Sequence, residues 1–126
     1  MGSVGVGLVI VSHSKHIAEG VVELISEVAK DVPITYVGGT EDGEIGTSFD
    51  QVDRVVSENP ADTLLAFFDL GSAKMNLEMV VDFSDKSIII NRVPIVEGAY
   101  TAAALLQAGA ELSVIQTQLS ELEINK

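Results

Sequence analysis

The sequence contains no cysteine, 2 histidines, and only 7 lysine and arginine residues against 19 aspartate and glutamate residues. The lack of cysteine excludes disulfides, thiolate nucleophiles and cysteine-ligated metals, and it is compatible with a cytoplasmic protein, the location that we expect. So few histidines argue against a metal centre. The formal net charge of −12 argues against nucleic acid and anionic membrane as partners, because both are bound through basic surfaces.

Long hydrophobic runs are lacking as well. The longest apolar runs, residues 4–11 and 64–68, are far shorter than the roughly 20 residues that a membrane-spanning helix needs. No basic segment precedes the first run, so we do not expect a secretory signal peptide. We predict one domain over residues 1–126, long enough to bury a sizeable core.

Short apolar runs alternate with amphipathic segments along the whole chain, a pattern typical of repeated βα units. We predict strands at 5–11, 34–37, 63–68 and 87–91, and helices at 15–30, 49–58, 73–81, 95–107 and 112–122. The sequence therefore predicts an α/β protein with an open, doubly wound, mostly parallel four-stranded sheet and helices on both faces.

Residues that favour helix ends support the predicted helix boundaries. Ser14, Ser48 and Ser72 are predicted N-caps, Ser48 with Gln51 forms a capping-box pattern, and Gly109 is the expected left-handed terminator of the fourth helix. The apolar spacing of the last helix predicts packing on another helix or on a second subunit. We interpret the following aromatic side chains as packing residues: Tyr36, Phe49, Phe67, Phe68 and Phe83.

His13 follows the first predicted strand directly, at the edge where open α/β sheets bind their ligands. Asp69 follows the third predicted strand and meets the same edge. A carboxylate that accepts one ring N–H of a histidine fixes its tautomer and leaves the other nitrogen free to attack. The alternatives are a loop histidine bonded to a carbonyl and an aspartate that caps a helix. The other histidine, His16, is interpreted as a solvated surface residue.

Candidate phosphate donors lie at the same edge. The glycine-rich loop before the second helix and the helix starts behind His13 and Asp69 offer backbone N–H groups that could hold phosphoryl oxygens. The loop could equally be plain turn structure, and it lacks the lysine of a P-loop. The predicted phosphate-binding residues are Ser14, Gly46, Thr47, Ser48 and Ser72, and the predicted positive rim for a partner consists of Lys15, Lys74 and Arg92.

Other classes of protein remain open on these residues. A receiver-like signalling domain would be phosphorylated on Asp69, but that class needs an acidic pair after the first strand, where this chain has Ser12 and His13. A flavodoxin-like binding module would need a longer phosphate loop at that place.

Four motifs in register resemble the mannose-type enzyme IIA family of the phosphoenolpyruvate:sugar phosphotransferase system, and within it the phosphotransfer subunits of bacterial dihydroxyacetone kinase. They are residues 8–14, 46–48, 69–73 and 94–99, and the resemblance spans residues 5–121. A mannose-type enzyme IIA domain of a sugar transporter is the alternative within the family.

The resemblance implies a homodimeric phosphoryl carrier whose His13 is phosphorylated and whose Asp69 orients it. The donor would be the phosphocarrier HPr. The acceptor would be ADP, held with Mg on the nucleotide-binding kinase subunit, so that this chain has no cofactor or metal of its own. The resemblance also implies phosphate on the ring nitrogen far from the backbone.

Overall fold

The structure, a computed structural model, describes residues 5–126, so the first four residues of the predicted domain lie outside it. Four strands and five helices follow one another: β1 (Val6–Ser12), α1 (Lys15–Ser26), β2 (Ile34–Gly38), α2 (Phe49–Glu58), β3 (Thr63–Phe68), α3 (Gly71–Phe83), β4 (Ser87–Asn91), α4 (Ile95–Gln107) and α5 (Leu112–Ser120). The strands form one parallel sheet in the order β2-β1-β3-β4. This confirms the predicted fold class.

Helices cover both faces of the sheet because β1 buries alternate side chains on opposite sides. Leu8 and Ile10 belong to a core cluster that includes residues of α1, α4 and α5. Val9 and Val11 belong to a second cluster with residues of α2 and α3. The sheet is therefore a buried, rigid layer, and its carboxyl edge is where the chain is free to build a site.

The strand order places a crevice between β1 and β3. The chain leaves β1 for β2 on one side, and β3 returns to the other side of β1, which is a topological switch point. Val11 is paired with Phe68 at the carboxyl end of the two strands. The residues that follow them, His13 and Asp69, are consequently brought side by side.

The element boundaries lie within two residues of the predicted ones, except for the end of α1. Helix α1 ends at Ser26 rather than at residue 30, because the N–H of Glu27 bonds back to the carbonyls of Leu24 and Ile25 and tightens the last turn. Helix α3 begins at Gly71, so Ser72 lies inside its first turn and Leu70 precedes the helix without a side-chain cap. The prediction of Ser72 as an N-cap is wrong.

The other caps are as predicted. Ser14 accepts the N–H of Ile17, Ser48 accepts the N–H of Gln51, and Gly109 has a φ of +85°. The capping box is only half formed, since the Gln51 side-chain oxygen is buried without a partner. Helix α5 packs on the core through Ile115 and Leu119, as expected for a covering helix.

The expectation that all five aromatic side chains are packed is wrong for Tyr36, which is 40% exposed on β2, and for Phe83. Phe83 contacts Phe49 edge-on, with ring centroids 6.0 Å apart, yet it remains 75% exposed at the end of α3.

We expect Gly38→Ala to destabilise the protein. A Cβ atom at Gly38 would clash with the carbonyl oxygen of Ser14 and would lie 2.7 Å from the Cα of Lys15. Overpacking of this kind costs about 1–3 kcal/mol, which urea unfolding would measure. The control is Gly20→Ala in α1, where nothing lies within 4 Å of the added carbon; it should gain about 0.5–1 kcal/mol of helix propensity. Equal stability of the two variants would contradict this prediction.

Candidate functional site

His13 and Asp69 form a bonded pair at the carboxyl edge of the sheet. The ring nitrogen Nδ1 of His13 lies 2.9 Å from Oδ1 of Asp69, and the two side chains are 14% and 12% exposed. The pair connects the turn after β1 with the turn after β3. The sequence therefore located both members and their contact correctly, while the roles predicted for them stay predictions.

The Asp69 carboxylate accepts three further hydrogen bonds. The Ser12 hydroxyl donates to Oδ2 at 2.7 Å, the backbone N–H of His13 donates to the same oxygen at 3.0 Å, and the N–H of Leu70 donates to Oδ1 at 2.7 Å. Ser12 is buried at the end of β1, and its oxygen also accepts the N–H of Ser14. Both carboxylate oxygens are therefore held by hydrogen bonds that do not involve the imidazole ring.

These bonds keep Asp69 ionised. Burial raises the pKa of the Asp69 carboxyl, but the hydrogen bonds from Ser12, His13 and Leu70 outweigh that effect, and the pKa lies below its ordinary value. An ionised carboxylate can only accept hydrogen bonds, so Nδ1 of His13 must carry the proton in this contact. The lone pair of the neutral ring is then on Nε2.

Ser72 contacts the free nitrogen. Its hydroxyl oxygen is within hydrogen-bond distance of Nε2, and the side chain is exposed on the first turn of α3. Because Nδ1 holds the ring proton, the Ser72 O–H is the donor and Nε2 the acceptor. The start of α3 therefore stands next to the atom that could form a bond to a ligand, and helix N-termini favour anions.

The loop after β2 is attached to the site through backbone and side chains. The N–H of Gly46 donates to the carbonyl of His13 at 2.9 Å, and Thr47 Oγ1 accepts from the Asn76 amide of α3 at 2.7 Å. Ser48 donates to Glu41 at 3.0 Å and caps α2. Of the predicted phosphate-binding residues, Ser72 alone contacts the ring, and Gly46 contacts the His13 backbone with an amide that already has an acceptor.

The three predicted rim cations lie on different parts of the fold. Lys15 is the exposed first residue of α1. Lys74 is in α3, with its amino group 3.8 Å from Glu78, and Arg92 is exposed after β4. Their predicted role on a partner surface stays a prediction.

Two residues of the site have no role in the sequence interpretation. In the sequence Ser12 lies between the first predicted strand and His13, and only its place beside His13 could have pointed to it. Lys126 lies beyond the last helix, yet its Nζ donates to the carbonyls of Phe68 at 2.7 Å and Asp69 at 3.5 Å. No pattern in the sequence predicts that contact, because it depends on how the chain returns after α5.

Within residues 5–126, no group of three or more His, Asp or Glu side chains is arranged to hold a metal ion. In the same part of the chain, no helix has the length and apolar character to cross a membrane. A cavity of about 430 Å³ lies at the opposite edge of the sheet beside Val6, Pro33 and Gly109.

Comparison with known proteins supplies the class. The EIIA-man family model, described as the PTS system fructose IIA component, matches residues 7–116. The chain is 57% identical over 120 residues to the phosphotransferase subunit DhaM of the PTS-dependent dihydroxyacetone kinase of Lactococcus lactis, covering 95% of this chain and 98% of that protein. It is 52% identical over 118 residues to the phosphoryl donor subunit DhaM of the PEP-dependent dihydroxyacetone kinase 1 of Listeria innocua, covering 94% and 95%.

A solved structure agrees with this. The crystal structure of EF1359, a protein of unknown function, matches with a TM-score of 0.83 and 27% identity, covering 96% of this chain and 97% of that chain. The chain belongs to the EIIA-man family, and within it to the group of DhaM subunits of phosphoenolpyruvate-dependent dihydroxyacetone kinases. The resemblance read from the four motifs is confirmed.

Proposed function

We propose that this chain is a phosphoryl carrier of a dihydroxyacetone kinase, in which His13 accepts phosphate from phospho-HPr and passes it to ADP on the nucleotide-binding kinase subunit. The observation that carries the proposal is the Nδ1–H contact with Asp69, which leaves the Nε2 lone pair of His13 at the open edge of the sheet. The names of the relatives, phosphotransferase and phosphoryl donor subunits, support the same role.

In the loading step, Nε2 of His13 attacks the phosphorus atom of the donor phosphohistidine in line with the bond that breaks. A new N–P bond forms on His13, and the donor imidazole leaves with the electron pair of the old one. Ser72 must release Nε2 and can then donate its hydroxyl to a phosphoryl oxygen. Asp69 stabilises the positive charge that develops on the ring as the lone pair is used.

In the unloading step, a β-phosphate oxygen of ADP attacks the same phosphorus atom, and the His13–phosphorus bond breaks. The imidazole leaves with its Nδ1 proton still shared with Asp69, so it departs as a neutral ring and is ready for another cycle. Such transfers require little beyond positioning and neutralisation of oxygen charge. We assign the nucleotide and its Mg²⁺ to the partner subunit.

Exposed apolar side chains next to the pair suit a protein partner. Leu70 follows Asp69, Met75 lies one turn along α3 from Ser72, and Ile45 precedes the glycine that bonds to the His13 carbonyl, and all three are exposed. Apolar side chains grouped beside a functional atom are characteristic of interaction surfaces. We place HPr and the kinase subunit in turn on this surface, with Lys15, Lys74 and Arg92 at its margin, and the exchange in the cytoplasm.

We also propose that the chain is a homodimer. Strand β4 is at one end of the sheet order, and it carries the partly buried side chains Ile88, Ile89 and Ile90. An edge strand with apolar side chains favours pairing with another chain. Phe83, four residues before this strand, is a further exposed apolar side chain.

Reconstitution tests the proposed function. The chain is incubated with phosphoenolpyruvate, enzyme I and HPr, and an acid-labile, alkali-stable phosphate should appear on it; omission of HPr is the control. Addition of the kinase subunit with ADP and Mg²⁺ should then discharge the phosphate and form ATP. A phosphate that is alkali-labile would indicate Asp69 and a receiver-like domain, and stable phosphohistidine without ATP would favour a sugar transporter domain.

A further inference from the structure

The ammonium group of Lys126 contacts the backbone that carries Asp69. Its Nζ donates to the Phe68 carbonyl at 2.7 Å, lies 3.5 Å from the Asp69 carbonyl, and stands 4.5 Å above the centre of the Phe68 ring. The N–H of Ile124 bonds to the Arg92 carbonyl at 2.9 Å, which fixes the segment that carries Lys126 across the ends of β4 and β3. The cation therefore lies where the turn that carries Asp69 leaves β3.

Nothing in the proposed transfer steps uses this cation. Burial lowers the pKa of Lys126, and the negative charge of Asp69 raises it only in part. Removing an ammonium group from water costs free energy. The two carbonyls and the Phe68 ring around Lys126 replace part of the lost hydration. The Asp69 carboxylate is the charged group that acts on the Lys126 ammonium group.

Phosphorylation would change the charge balance at this place. A phosphoryl group on Nε2 of His13 adds roughly two negative charges next to the Asp69 carboxylate. Other charged side chains at this edge lie on the first two turns of the helices, the loop after β2 and the turn after β4. They include Lys15, His16, Lys74, Glu78, Glu41, Asp42, Glu44, Asp50, Arg92 and Glu97, all exposed except the half-buried Lys74.

We propose that Lys126 is a positioning residue of the phosphoryl carrier: its ammonium group, bonded to the Phe68 and Asp69 carbonyls, stabilises the phosphorylated state of His13 by offsetting the charge of Asp69 and of the phosphoryl group. This inference rests on the proposed function. By linkage, a cation that stabilises phosphohistidine must itself be held more firmly in its charged form once the phosphate arrives.

The first measurement is the phosphate equilibrium between phospho-HPr and this chain. Lys126→Met should lower the equilibrium constant roughly three- to tenfold, the effect of one partly screened charge, and Lys126→Arg should restore it. The matched control is Lys86→Met. Lys86 also donates its Nζ to backbone carbonyls, those of Asn59 and Ala61, but at the opposite edge of the sheet, so its removal should leave the equilibrium unchanged.

The second measurement separates charge from mere packing. The pKa of Lys126, followed by NMR of its Cε and Nζ atoms, should rise when His13 is phosphorylated and should fall in the Asp69→Asn variant. A purely structural lysine would show neither change. An unaltered equilibrium in Lys126→Met, or a Lys126 pKa that is insensitive to phosphorylation, overturns the inference. Failure of the unaltered chain to accept phosphate from HPr overturns the proposed function, and the inference with it.

Discussion

The His13→Ala variant is expected to accept no measurable phosphate from phospho-HPr, a loss larger than any other single change should cause. The variant keeps the sheet and its helices but removes Nε2, the nitrogen whose lone pair the Asp69 contact leaves available. Its fold should survive, because His13 lies in a turn at the edge of the sheet and outside both core clusters. Phosphorus NMR of the reconstituted mixture, with thermal unfolding in parallel, measures both statements.

The chain offers a matched control, because its other histidine is three residues away. His16 is exposed on the first turn of α1, so His16→Ala should be phosphorylated as fast as the unaltered chain. Phosphate that persists in His13→Ala and disappears in His16→Ala would overturn the assignment of the carrier residue.

Asp69→Asn should slow phosphate transfer by about 10²- to 10⁴-fold. Asparagine has the same shape, but its amide nitrogen donates where a carboxylate oxygen accepted. Placed against Nδ1, it would favour the tautomer with the proton on Nε2, which has no lone pair for attack. Placed on the other side, it would oppose the Ser12 hydroxyl and the His13 N–H, both of which donate to Oδ2. Single-turnover kinetics with phospho-HPr measures the rate.

The same variant has a pH signature. Because the folded state lowers the pKa of Asp69 below its usual 3.8, the ionised carboxylate contributes stability that is present above that value and is lost as the pH falls through the lowered one. The unaltered chain should therefore lose more stability in acid than Asp69→Asn does.

The control for the transfer rate is Asp62→Asn, at an exposed position before β3. If that variant slowed phosphate transfer as much as Asp69→Asn, the role of Asp69 would be contradicted.

The sequence predicted the architecture because its apolar runs are short and cleanly bounded. Strand β3 and helices α2 and α4 begin and end where their patterns do, and the alternation of strand and helix leaves few topologies other than a parallel sheet. The meeting of His13 and Asp69 followed from topology alone, since both residues come directly after strands that are neighbours at the switch point.

The remaining contacts depend on distances that no pattern encodes. The bond from Ser12 to Asp69 requires a side chain at a strand end to turn toward the next strand. The start of α3 at Gly71 frees Ser72 from capping and brings it to Nε2. Lys126 reaches Asp69 across 57 positions of sequence, after a segment with no periodicity at all. Such contacts are set by the packed tertiary structure and become visible only in it.

The pairing of β1 with β3 has a further consequence for how this protein could be altered. His13 and Asp69 directly follow two strands that are bonded along their length. Ile45, by contrast, belongs to the loop after β2, Leu70 to the turn before α3, and Met75 to α3 itself. The spacing of the reacting pair is therefore inherited from the sheet, and the recognition surface is a separate part. Partner choice should be exchangeable by redesign of that surface, while the chemistry of the pair stays as it is.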